Sequence, residues 1–134
     1  MTDAYAPLDA ALDSLADFGP ELRNGMTSHV PMVAEALCAL GRPEAVLPWV
    51  GKQRAGILPW PAPVAPIEPS RWRGALSQES RFADWRALFA AELARAPWRA
   101  VLARWVERLA PGLCAAATHG VIRTGHAVRA LAAG

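Results

Sequence analysis

The chain has 134 residues, 53% of them hydrophobic, and a formal net charge of +2. That is the size of one domain with a real core, spanning residues 1–134; it argues against disorder and gives no basic excess that would call for a nucleic-acid partner. No apolar run approaches the ~20 residues that cross a bilayer, and Met1-Thr2-Asp3-Ala4 lacks a basic, then apolar, leader pattern, so a cytoplasmic protein with no membrane partner is expected.

Alanine, leucine and arginine dominate and β-branched residues are few outside short runs, a bias toward helices. Leu8, Leu12, Leu15 and Phe18 recur at three- and four-residue steps and predict a helix from about Pro7 to Phe18, ended by Gly19-Pro20. Residues 21–25 read as a turn. Thr27 or Ser28 can then cap a helix with Pro31 in its first turn, on which Val33, Ala36, Leu37 and Leu40 follow His29 along one inward stripe, until Gly41-Arg42-Pro43 stops it. Glu35 falls off that stripe and reads as a solvated helical glutamate.

Glu44 to about Arg54 is predicted helical despite Pro48 and Gly51. Residues 57–70 form a proline-rich loop, with prolines at 59, 61, 63, 66 and 69 and Trp60 among them. Such a loop either covers a pocket or simply connects its neighbours. Phe82, Trp85, Leu88, Phe89 and Leu93 mark a helix over 78–95, and Val101, Leu102, Trp105 and Leu109 mark another after Pro97. Pro111 opens a last helix running toward Leu131. The expected architecture is all-α, a single helical domain of about five to six helices without strands.

Cys38 and Cys114 lack any CxxC or zinc-finger spacing and read as small buried hydrophobes. Of the six tryptophans, Trp49, Trp85 and Trp105 suit core positions; Trp60 and Trp72 flank the loop, to pack there or to stack on a planar ligand. No dinucleotide fingerprint, phosphate loop or nucleophile elbow occurs. The histidines carry the strongest signal. His29 and His119 each head an apolar strip at helical spacing, and an inward imidazole needs either a hydrogen-bond partner or a metal. Spacing alone favours the structural alternative for each taken singly. His126 lies seven residues after His119, so two turns put their Cα atoms roughly 10 Å apart. That is too far for both to bind one ion in the usual way, and His119, among small residues, is the better ligand.

Two segments carry a resemblance. Gly19-Pro20-Glu21-Leu22-Arg23-Asn24-Gly25-Met26-Thr27-Ser28-His29-Val30-Pro31-Met32, followed by Glu35-Ala36-Leu37 and Leu40-Gly41, resembles the opening motif of the questin oxidase-like family. Ala116-Ala117-Thr118-His119-Gly120-Val121-Ile122-Arg123-Thr124-Gly125-His126-Ala127-Val128-Arg129-Ala130-Leu131 is similar to its next histidine motif, in the same order. The resemblance implies an α-helical oxidoreductase performing oxygen-dependent, Baeyer–Villiger-like ring opening of a polycyclic aromatic ketone or anthraquinone. It implies His29 and His119 as ligands of a non-haem iron, with His126 and Arg123 on the side of an aromatic polyketide-like small molecule. It also brings NADPH dependence. Family proteins are much longer, so the chain is expected to correspond to their N-terminal portion, as a fragment, a split-gene product needing a complementary chain, or a degenerate relative. The alternative is a non-catalytic helical interaction module that self-associates as a homo-oligomer or pairs with a partner chain.

Overall fold

The computed structural model describes residues 3–134, of which 67% are helical. The fold is all-α apart from one small ribbon. In chain order the elements are α1 (Ala6–Ser14), β1 (Phe18–Leu22), α2 (Val30–Ala39), α3 (Val46–Gln53), β2 (Ile57–Pro59), α4 (Phe82–Arg95), α5 (Trp98–Leu109) and α6 (His119–Ala133), with short 3-10 turns between several of them. Among the described residues no helix is long and apolar enough to cross a membrane. Contacts divide the chain into two units, one formed by residues up to 59 together with 113–134, the other by residues 60–112.

In the first unit, prolines sit in the opening turns of α1 and α2, where a missing N–H leaves no helical bond unmade. The first helix ends earlier than the apolar pattern suggests. Leu15 is buried beyond its last turn, and Phe18, expected as its final residue, instead begins β1. Pairing explains the switch: β1 runs antiparallel to β2, with Phe18 opposite Pro59 and Leu22 opposite Ile57. Four steps along one strand match two along the other, so the ribbon contains an irregularity, which accommodates Gly19 and Pro20. This ribbon corrects the expectation of no strands. It is followed by a tight turn in which Gly25 adopts φ +81°, a region that an L side chain enters only with strain.

Helix α2 ends as its sequence requires. Gly41 is left-handed at φ +70°, its N–H reaches the Cys38 carbonyl, and the Arg42 N–H reaches that of Leu37. The core of this unit is Leu8, Ala11, Leu15, Val30, Ala34, Cys38, Val46, Val50 and Ile57, against which Trp49, Leu37 and Ala130 pack partly buried. Leu12 and Leu40, placed inward by periodicity, are exposed.

The last helix begins at His119 rather than near Pro111. Ala116, Ala117 and Thr118 have φ of 50°, 50° and 65°, three successive non-glycine residues in the left-handed region. Such residues cost roughly 1–2 kcal/mol each. Cys114, expected to be buried, is exposed just before this turn. Cys38 is buried, as expected.

The second unit is organised by aromatic residues. Trp105 lies 5.6 Å from Trp72, 5.7 Å from Trp85 and 5.1 Å from Phe89, each pair edge to face. Such pairs add to area burial because ring edges and faces carry opposite partial charge. Ile67, Ala75, Leu88 and Val101 complete this core. Trp72, considered above for stacking on a ligand, is buried within it. Beyond β2 the proline-rich segment is irregular; Asp84 on α4 accepts hydrogen bonds from the Val64 and Ala65 N–H groups.

Candidate functional site

The site lies within the first unit, where α2 and α6 face each other. The Ser28 N–H bonds to the Pro20 carbonyl, Thr27 pairs with Glu21, and the Ser28 hydroxyl receives the Val30 N–H. This fixes the backbone immediately before α2 and so places His29 at its start. His29 is exposed, not on the inward stripe that its spacing suggested. Its ring meets His119 across the two helices: the Nε2 atoms are 2.8 Å apart and the ring centroids 4.9 Å.

His119 opens α6, and the left-handed turn before it brings the Ala116 carbonyl to 2.7 Å from Nδ1. A carbonyl only accepts, so His119 carries its hydrogen on Nδ1 and presents a lone pair on Nε2. His29 is therefore the donor of the pair. A histidine whose far nitrogen is held by a carbonyl is the arrangement that orients a metal-binding imidazole.

Two and nearly three turns further along α6, His126 and Arg129 converge on Glu35 of α2. His126 Nδ1 is 2.6 Å from Glu35 Oε2. Arg129 donates from Nε to Oε1 at 2.8 Å and from Nη2 to Oε2 at 2.6 Å, and the Tyr5 hydroxyl donates to Oε1 at 2.7 Å. Glu35 is only 2% exposed. The Arg129 hydrogen bonds pull its carboxyl down to about 2 against the opposing effect of burial, with His126 and Tyr5 adding to the lowering. The same contact raises the Tyr5 phenol and the Arg129 guanidinium.

The expectation of a solvated Glu35 is thus corrected: it is the buried hub of the site. The sequence did hold a signal. Pro31, Glu35 and Cys38 follow a four- and three-residue step, so Glu35 occupies an inward position, where a carboxylate requires partners.

His29, Met32, Val33, Ala36, His119, Ile122 and His126 line an open cavity of about 200 Å³. The three imidazoles stand among apolar side chains there. Arg123 is not one of the lining residues. Its Nη1 is buried without a hydrogen-bond partner among the described residues, and burial lowers its pKa.

His29 and His119 form a donor pair suited to a borderline metal ion. Glu35 is not free to add a carboxylate, since all its acceptor directions point to Arg129, His126 and Tyr5. Among the described residues no group of three metal-ligating side chains converges. Comparison of the chain with protein-family models, with curated proteins and with solved structures returned no match.

Proposed function

We propose that the chain is an oxidoreductase of the questin oxidase-like type, acting on a polycyclic aromatic ketone, with His29 and His119 holding a non-haem iron. One observation carries this reading: two imidazole Nε2 atoms 2.8 Å apart, one of them oriented by a backbone carbonyl at the other nitrogen. Non-haem iron, when bound, supplies dioxygen activation. The protein's part is positional. His119 offers its lone pair as it stands, and His29 becomes a second donor once its hydrogen moves from Nε2 to Nδ1, a tautomer shift that leaves the ring neutral. Met32, Val33, Ala36 and Ile122 give an apolar wall for an aromatic ring, and His126 stands on the substrate side. Arg123 does not line this cavity, so no contact with the ligand is assigned to it. The described residues offer no glycine-rich strand-to-helix turn for a dinucleotide, so no step is assigned to NADPH.

Elemental analysis of untagged protein tests the assignment. Near-stoichiometric iron that survives gel filtration and disappears in the His29→Ala/His119→Ala variant is expected, with dioxygen uptake on adding an anthraquinone together with NADPH as the two-electron reductant. Metal-free protein, or metal unchanged in the double variant, overturns the ligand assignment.

A second reading, a non-catalytic helical module that pairs with a partner chain or a second copy, is favoured by α6. None of its 15 residues is buried, and Val121, Ile122 and Leu131 are 50%, 46% and 53% exposed. A strict monomer at high concentration that binds no hydrophobic dye would argue against it.

A further inference from the structure

Glu35 accepts four hydrogen bonds, from Tyr5, from two Arg129 nitrogens and from His126. As an ionised carboxylate it can only accept, so the hydrogen between it and His126 belongs to Nδ1. Arg129 Nη2 also lies 3.4 Å from that Nδ1, but both atoms are donors, and this approach is no hydrogen bond. The neutral ring of His126 then has its lone pair on Nε2, and that ring lines the cavity. This is the opposite of the tautomer that histidine side chains favour in water. Arg129, gripping both carboxylate oxygens, also keeps Glu35 from taking the proton itself.

We propose that Glu35 is a positioning residue that holds His126 as its Nδ1–H tautomer, so that His126 Nε2 takes the proton of a phenolic hydroxyl bound in the cavity. This rests on the reading of the cavity as a substrate site. The ligand class follows from the lining. Met32, Val33, Ala36 and Ile122 accept a ring, and a bare imidazole nitrogen among them asks for a weakly acidic donor. In the transfer the phenol O–H bond breaks, an N–H bond forms at Nε2, and the electron pair stays on oxygen. The imidazolium so formed lies against the Glu35 carboxylate, which stabilises it.

The test is long-range proton–nitrogen NMR of the histidine rings in the full chain, chelator-treated, at pH 8.5, where ordinary imidazoles (pKa about 6.5) are neutral. His126→Gln assigns the signals. A protonated Nδ1 and a bare Nε2 are expected for His126, with Nε2 shifting on addition of phenol and not on addition of anisole. Glu35→Gln should move His126 toward the Nε2–H form and weaken phenol about ten-fold. An Nε2–H tautomer in the wild type, no response to phenol, or a Glu35→Gln protein that keeps both tautomer and affinity would overturn the proposal. The wild-type spectrum decides even where Glu35→Gln does not fold. Iron content measured before chelation separates the two readings: the expected tautomer and phenol response in a chain without iron keeps the inference and removes the iron, while iron with an Nε2–H His126 does the reverse.

Discussion

Glu35 in the first unit and Asp84 in the second are both carboxylates on helices, 2% and 3% exposed, and each has an arginine partner. Their other partners differ. Asp84 accepts from the Val64 and Ala65 backbone N–H groups, and Arg81 lies three residues before it on the adjoining turn. Burial pushes its carboxyl up, but the Arg81 and amide hydrogen bonds outweigh burial and leave it below the ordinary value. Glu35 accepts from side chains alone, one of them the imidazole of His126. A carboxylate held by amides pins a loop; one held by an imidazole at a cavity also sets which nitrogen of that ring is available for chemistry. Burial and an arginine do not by themselves tell a structural acid from a functional one. The identity of the remaining partners does.

The largest expected effect comes from removing the hub. Glu35→Ala leaves the half-exposed Arg129 to hydrate while His126 and Tyr5 lose their partner, and should destabilise the fold by about 2–4 kcal/mol, the loss of charge-assisted hydrogen bonds to a buried carboxylate. Urea unfolding at pH 7 measures it. A change below about 1 kcal/mol would mean that the network is not a structural unit.

Acid sharpens the same contrast. The Glu35 carboxyl is lowered in the folded chain, from an ordinary 4.5 to about 2. Its contribution is therefore fully present above the unfolded value and is lost as pH falls from about 5 toward 2. It amounts to roughly 3 kcal/mol. Unfolding curves across that range should slope less for Glu35→Gln than for wild type.

Asp84→Ala should act locally. Trypsin cleavage at Arg71 should accelerate several-fold as the proline-rich segment loses its anchor, with the His126 tautomer unmoved. An altered tautomer would break the comparison. The smallest effect belongs to Tyr5→Phe, which deletes one of four hydrogen bonds to Glu35 and should cost about 1 kcal/mol by urea unfolding.

How much of this was legible follows from where the information lies. Helices α4 and α5 are written in local apolar spacing, and their expected spans agree with those observed to within a few residues. The end of α1 was not legible, because Leu15 and Phe18 continue a helical rhythm while Phe18 is claimed by pairing with Pro59, 41 residues on. The start of α6 was not legible either: Ala115-Ala116-Ala117 is a strong helix former, yet it turns left-handed where the Ala116 carbonyl meets the His119 ring. For the site, motif resemblance drew attention to His29, His119, His126 and Arg123, and the structure brings the first two into contact. Glu35 was missed because its partners are 30, 91 and 94 residues distant, and a charge on a helix reads as solvated unless they are known.

Those separations also impose an order of assembly. Tyr5 is made before Glu35, whereas His126 and Arg129 leave the ribosome some 90 residues later, roughly 5–20 seconds at ordinary rates of synthesis. During that interval the nascent α2 carries a carboxylate destined for burial with its cation not yet made. Hydration of that acid opposes premature closure of the surface around it, and α6 supplies the charge that allows the closure. Docking of α6 on α2 therefore closes a chain span about three times as long as the Tyr5–Glu35 contact does, at a correspondingly larger cost in loop-closure entropy.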